Sequence, residues 1–316
     1  MNCQFAHLET DALLHIIGPD TLKFLQGQTS CDTRTVDATH AVPGVFCTPK
    51  GRVLCDFLLC ELNPDHFALR LRRDIRAGSS AAFGKYIVFS NADLDAARDD
   101  WALLGVWGPD AAKSLAKIFG DLPSERFAAT SGEGYTLVQT DEQGQEFECY
   151  LDAQFCERHL TEMAQGMEKS TDADWQTRQI CAGIARIEAT TVEEFVPQTL
   201  NYDLTGHISF NKGCYTGQEV VARLHYRGTP KRRTFVAELS DTAGANQGAG
   251  LTSGTALFSS KSGLSVGTIV NSSTAGDKTM LLVAATTSGA TEGLHVGADN
   301  GPLLTLGELP YELDAS

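Results

Sequence analysis

Gly18-Pro19-Asp20-Thr21-Leu22-Lys23-Phe24-Leu25 returns ninety residues later as Gly108-Pro109-Asp110-Ala111-Ala112-Lys113-Ser114-Leu115. Each copy follows a hydrophobic run of strand character, residues 12–17 and 102–107, and opens a helical pattern. A spacing this long is too great for a solenoid repeat and predicts two related α+β units. After the first copy, strands are expected at 45–48, 53–62 and 66–71, then a helix over 75–86. After the second, strands at 135–139 and 146–151 precede helices at 154–167 and 174–182. That order, with short connections, predicts ferredoxin-like packing, with units at 1–100 and 101–235. The acidic stretch 91–100 reads as a solvated connection between them. No Gly-rich phosphate loop follows a strand, so a nucleotide fingerprint is absent.

Beyond Arg233 the composition changes. Residues 240–263 are rich in Ser, Thr, Gly and Ala, and short strand-like segments follow at 256–258, 265–270 and 279–285, which predicts a small antiparallel β-barrel over 236–316. With 316 residues, 42% of them hydrophobic, the chain can build two or three cores. Its nine cysteines include no C-x-x-C pair, which argues against a disulfide framework and against a metal or cluster site on a short motif. No basic leader with an apolar run opens the chain, and no run of eighteen apolar residues occurs, so a cytoplasmic protein without membrane contact is expected. The 25 basic and 40 acidic side chains leave a net charge of −15, which opposes strong direct nucleic-acid binding. One local exception is the cluster Arg223, Arg227, Lys231, Arg232 and Arg233, which would suit a small polyanion or form a solvated basic face.

The candidate reactive centre is Phe210-Asn211-Lys212-Gly213-Cys214-Tyr215-Thr216-Gly217-Gln218-Glu219. Thr216 and Glu219 have the spacing of a capping box, and Val220, Val221 and Leu224 continue at helical spacing, so a helix is expected to begin near Gly217. Cys214 would lie just ahead of the positive helix end, with the Lys212 cation beside it, and both favour a thiolate. Gly213 and Gly217 let the backbone turn and approach a ligand. An ordinary loop-to-helix turn carrying an inert buried thiol accounts for the same residues.

Lys212 to Glu219 matches the K-G-C-[YF]-x-G-Q-E signature, and on it the chain resembles the YgfZ-type folate-binding proteins. Phe24-Leu25-Gln26-Gly27-Gln28, Pro49-Lys50-Gly51-Arg52, Phe195-Val196-Pro197-Gln198 and Val266-Gly267-Thr268-Ile269-Val270 extend the resemblance over nearly the whole chain. It implies the three-domain cloverleaf of the related T-protein aminomethyltransferase: two ferredoxin-like α+β units and a C-terminal antiparallel barrel around tetrahydrofolate. It further implies a factor that supports iron–sulfur enzymes, including tRNA-modifying ones, with a reduced folate, tetrahydrofolate or a one-carbon derivative, as cofactor. The partners implied are those enzymes or their assembly proteins. Cys214, Lys212 and Asp56 are the catalytic candidates. Glu188, in Arg186-Ile187-Glu188-Ala189, is similar to the carboxylate that grips the pterin ring in the T-protein. Gly213, Tyr215, Gly217, Gln218, Arg223 and Arg227 complete the expected cofactor contacts. The T-protein has adjacent aspartates where this chain has Cys55-Asp56, which weakens a one-carbon transferase reading. A folate-dependent aminomethyl transferase and a non-catalytic folate-binding module stay open as alternatives.

Overall fold

The computed structural model describes residues 2–240, 251–261, 263–276 and 278–313. In chain order the elements are β1 (Gln4–His7), β2 (Asp11–Ile17), α1 (Thr21–Gln28), β3 (Val42–Cys47), β4 (Val53–Asn63), β5 (His66–Arg72), α2 (Arg76–Gly84), β6 (Asp93–Asp95), β7 (Trp101–Trp107), α3 (Ala111–Phe119), β8 (Ala129–Gly132), β9 (Tyr135–Gln139), β10 (Glu146–Asp152), α4 (Ala153–Gly166), β11 (Glu168–Lys169), α5 (Asp172–Cys181), α6 (Gln218–Arg227), β12 (Arg232–Ser240), β13 (Ala256–Ser259), β14 (Ser265–Ala275), β15 (Lys278–Thr286), α7 (Thr287–Glu292), β16 (Leu294–Val296) and β17 (Leu303–Leu306). Two compact units result. The first comprises Met1–Phe46, Cys55–Asp172 and Asn211–Tyr215, and the second Cys47–Leu54, Ala173–Phe210 and Thr216–Ser316.

The first unit holds two sheets, ordered β3-β4-β5-β2-β6 and β11-β1-β7-β10-β9-β8. The duplicated Gly-Pro-Asp segments are the matching strand-to-helix turns, β2 to α1 and β7 to α3. Each opens on a glycine with positive φ, 140° at Gly18 and 119° at Gly108. A Cβ on Gly18 would stand 2.3 Å from the Asn91 carbonyl oxygen, and one on Gly108 would stand 2.2 Å from that of Asn2. Those carbonyls lie just ahead of β6 and β1, two strands that have changed places. β1, at the start of the first repeat, pairs antiparallel with β7 of the second, and β6, just before the second repeat, pairs antiparallel with β2 of the first. The stretch expected to be a solvated link thus supplies an edge strand. Three residues, two of them aspartate, are too short a pattern to register as a strand in sequence.

Strand alternation sorts the two faces of each sheet. In the second sheet Leu104, Val106, Phe147, Cys149 and Leu151 pack under α3 and α4 with Leu115, Phe119, Phe155 and Met163. On β10 the alternate residues Glu148 and Tyr150 are polar and face Arg70 of the other sheet. Arg70 of β5 makes a forked pair with Glu148 of β10, Nε to Oε2 at 3.0 Å and Nη2 to Oε1 at 2.6 Å, and the Tyr150 hydroxyl donates to Oε2 at 2.6 Å. Asp11 and Arg72 extend this buried ionic layer. Burial works against the Arg70 charge, yet Glu148 and Asp11 hold its pKa above the ordinary value.

In the second unit six strands close an antiparallel barrel in the order β12-β15-β14-β13-β16-β17, as expected for the C-terminal region. Ala237, Leu257, Ile269, Leu281, Val283 and Leu294 fill it. The barrel begins at Arg232, so the last two members of the basic cluster are strand residues. Arg233 is buried and paired with Asp203 at 2.7 Å, which removes it from the exposed cluster. Part of the Ser/Gly-rich stretch expected over 240–263, residues 241–250 and 262, lies outside the described residues.

Candidate functional site

Four of the five segments quoted for the family resemblance meet in pairs. In the first unit, Lys212 reaches the end of α1. Its ammonium donates to the Gln26 carbonyl at 2.8 Å and to the Thr29 carbonyl, and its nitrogen lies 5.1 Å from the Tyr215 ring centroid. These carbonyls belong to the last turn and cap of a helix, where the dipole is negative and acceptors lack intrahelical donors. The Gln26 side chain braces the same corner, accepting from the Thr33 N–H at 2.8 Å and donating to Asp32 at 3.2 Å. Lys212 is only 7% exposed. Burial pushes its pKa down to about 8, against the opposing pull of Cys31 and Asp32. The side chain was expected to activate Cys214. Its hydrogen bonds go to the end of α1, and near it lies the buried Cys31, whose pKa desolvation raises against the opposing pull of the Thr29 hydroxyl and the Lys212 charge. Tyr215 is buried beneath the ammonium, while Gly213 and Cys214 are exposed.

In the second unit, Gly217 caps α6 in the left-handed region, φ 85°, with no side-chain cap. The cap therefore falls at Gly217, where the expected box would have put it at Thr216. A Cβ on Gly217 would stand 2.5 Å from the Thr48 carbonyl oxygen and 3.3 Å from the Gly51 Cα, so the Pro49-Lys50-Gly51-Arg52 turn packs on bare backbone, and the reversal falls one residue later than Thr216. Arg52 ties this turn to the Glu194 carbonyl at 2.6 Å, and the Val53 N–H donates to the Phe195 carbonyl at 2.9 Å. Gln198 closes the group, its amide donating to the Val221 carbonyl of α6 at 2.7 Å. Gln218 is half-buried at the first turn of α6, and Arg223 and Arg227 project from its exposed face.

Glu188 is the most tightly organised of the expected cofactor ligands. Asn271 of β14 donates to Oε1 at 2.8 Å and Ser253 donates to Oε2 at 2.7 Å. The carboxylate also accepts the N–H of Thr191, and the Thr191 hydroxyl receives the Glu188 N–H at 3.1 Å. Asn271 fixes the preceding backbone by exchanging hydrogen bonds with both the N–H and the carbonyl of Arg186, at 2.8 and 2.9 Å. Asn271 and Ser253 carry no signal in the sequence beyond a polar residue inside an apolar strand run and a serine in a Ser/Gly-rich stretch.

Asp56 sits in β4 on the face that carries Arg70, is 1% exposed, and contributes to the charge environment of that guanidinium. Cys214, Lys212, Gly213, Tyr215 and Asp56 therefore share the first unit, and Glu188, Gly217, Gln218, Arg223 and Arg227 the second. Among the described residues no group of three metal-ligating side chains occurs, and no helix is long and apolar enough to cross a membrane.

The two-sheet unit and the closed barrel define a T-protein-like α+β fold. The glycine cleavage system aminomethyltransferase T from Bartonella henselae superposes with a TM-score of 0.75 over 98% of this chain and 86% of its own, at 16% identity. The GCVT N-terminal domain model matches residues 6–141. The tRNA-modifying protein YgfZ of Klebsiella pneumoniae (strain 342) is 35% identical over 237 residues, 75% of this chain and 71% of that protein. Its counterpart from Escherichia coli O157:H7 (strain EC4115 / EHEC) is 35% identical over 72% of this chain and 70% of its own length. The chain belongs to the YgfZ family.

Proposed function

We propose that this protein binds a reduced folate, tetrahydrofolate or a one-carbon derivative, and acts as an accessory factor for iron–sulfur enzymes, including those that modify tRNA, with Cys214 as its reactive thiol. The observation that carries the reading is the fixed carboxylate of Glu188. Asn271, Ser253 and the Thr191 N–H hold it in one orientation, and a carboxylate is the group that accepts hydrogen bonds from the amidine-like edge of a pterin. That donor set fits the ligand. Arg223 and Arg227 supply exposed cations suited to glutamate-tail carboxylates. Lys212 holds the 212–215 segment onto α1 and so presents Gly213 and Cys214 on the surface. A bound folate would supply the one-carbon unit or its acceptor. The burial of Asp56 favours an accessory role over aminomethyl transfer, and the names of the relatives favour a link to tRNA modification.

Thermal unfolding with tetrahydrofolate tests the binding. A ligand selective for the native state stabilises it by about 2.7 kcal/mol at a hundredfold excess over Kd. A melting temperature that stays put at saturating tetrahydrofolate defeats the reading. Cys214→Ser is expected to keep the thermal shift and to lose restoration of iron–sulfur-dependent tRNA nucleosides in cells lacking their own relative. Full restoration by that variant would remove the thiol from the account.

A further inference from the structure

We propose that the exposed face running from α6 into β12 is a contact site for a short single-stranded segment of RNA, with Tyr226 as its base-stacking platform. This goes beyond the folate reading and is tested without folate, so either can fail alone. The first observation is charge. From Val220 to Ala237 the chain carries no carboxylate, although acids outnumber bases 40 to 25 overall. With Arg233 neutralised by Asp203, the exposed cations left in this stretch are Arg223, Arg227, Lys231 and Arg232. Arg223, Tyr226 and Arg227 stand at i, i+3 and i+4, which places them on one side of α6.

The second observation is aromatic. Phe210 and His225 stack with centroids 3.7 Å apart and planes 12° from parallel. Tyr226 meets both edge-to-face, at 6.3 Å and 72° from Phe210 and at 4.7 Å and 76° from His225. The Tyr226 ring is thereby held in position while 68% exposed. A fixed, exposed ring on the side of α6 that carries Arg223 and Arg227, with Lys231 and Arg232 following in the chain, is what single-stranded nucleic acids use, with bases stacked on aromatic rings and phosphates on Arg and Lys. An acidic peptide or a glutamyl tail would need the cations and not the ring. The overall charge of −15 limits the contact to the patch itself, in keeping with the expectation that no extended nucleic acid binds strongly.

Fluorescence anisotropy with a labelled single-stranded oligoribonucleotide of about 12 nucleotides, within the span such sites cover, tests this. Four neutralised phosphates predict a log–log salt slope of about −3 for a single strand. The Lys231→Ala/Arg232→Ala double variant should reduce that slope by about 1.4. Tyr226→Ala should weaken binding tenfold or more with the slope unchanged, and Tyr226→Trp should retain it, with circular dichroism confirming that each variant is folded. Absence of binding at low salt overturns the proposal. So does binding indifferent to Tyr226, including the case in which polyglutamate displaces the RNA and only the cations matter, which would mark a site for acidic tails.

Discussion

Replacing Lys212 with Met removes a buried cation and leaves most of its volume, so the sign of the change reports what the ammonium does. Moving its pKa from the ordinary 10.5 to about 8 corresponds to roughly 3 kcal/mol spent at neutral pH on keeping a desolvated charge. Against that stand two charge-assisted hydrogen bonds, to Gln26 and Thr29, each contributing about 1.5–3 kcal/mol, and the Tyr215 ring, about 0.5–2 kcal/mol. The Met variant also leaves two carbonyls at the end of α1 without their donor, at about 1–3 kcal/mol each. These contributions outweigh the relief of the charge penalty, so a net loss of stability at pH 7 is expected, larger than that of a surface substitution. The pH dependence is more diagnostic. Between pH 8 and 10.5 the unfolded chain keeps the Lys212 proton while the native state has released it, so wild-type stability from this group rises with pH and falls again as pH drops through 8. Urea unfolding followed by tryptophan fluorescence, with Trp101 and Trp107 in the same unit, should show the gap between wild type and Lys212→Met widening from pH 7 to pH 10. A Met variant as stable as wild type, or a gap that does not change with pH, would refute the clamp.

Two further substitutions probe the frame around the candidate site. Glu148→Gln leaves the Arg70 guanidinium buried without its forked partner and should cost about 3–5 kcal/mol in urea denaturation, whereas the apolar pair Arg70→Met/Glu148→Leu should cost less than Glu148→Gln alone; a double variant that is worse would mean the layer stabilises by more than mutual compensation. Gly217→Ala puts a methyl group against the Thr48 carbonyl at a backbone φ of 85° and should lower stability by about 2 kcal/mol in thermal melts; no loss would show that the turn at 48–51 can move aside.

What the sequence made legible were features with a local signature. The Gly-Pro-Asp echo located both strand-to-helix turns because each needs a positive-φ glycine followed by a helix start, and the predicted boundaries of β4, β5, β9 and β10 fall within a residue of those observed. The exchange of β1 and β6 was not legible, since pairing partners far apart in the chain leave no mark on a strand three or four residues long. The ionic layer between the sheets escaped for a related reason. Arg70 and Arg72 alternate with apolar residues as exposed positions do, and only the pairing with Glu148 and Asp11 makes them interior. In the 212–219 segment the hydrogen bonds of Lys212 were not legible. A lysine two residues from a cysteine reads as its activator, but the side chain is long enough to reach the end of α1, whose carbonyls offer it better partners.

The proposed folate site has Glu188 as its pterin acceptor. Calorimetric titration of tetrahydrofolate into wild type and Glu188→Gln tests it most directly, because glutamine keeps the size of the side chain and can still meet Asn271 and Ser253, yet loses the charge. Saturable binding by wild type, weakened about 10- to 100-fold in the variant, is the predicted result, matching the 1.5–3 kcal/mol of a hydrogen bond to a charged group. Equal affinity in the two proteins, or no binding heat in either, would contradict it.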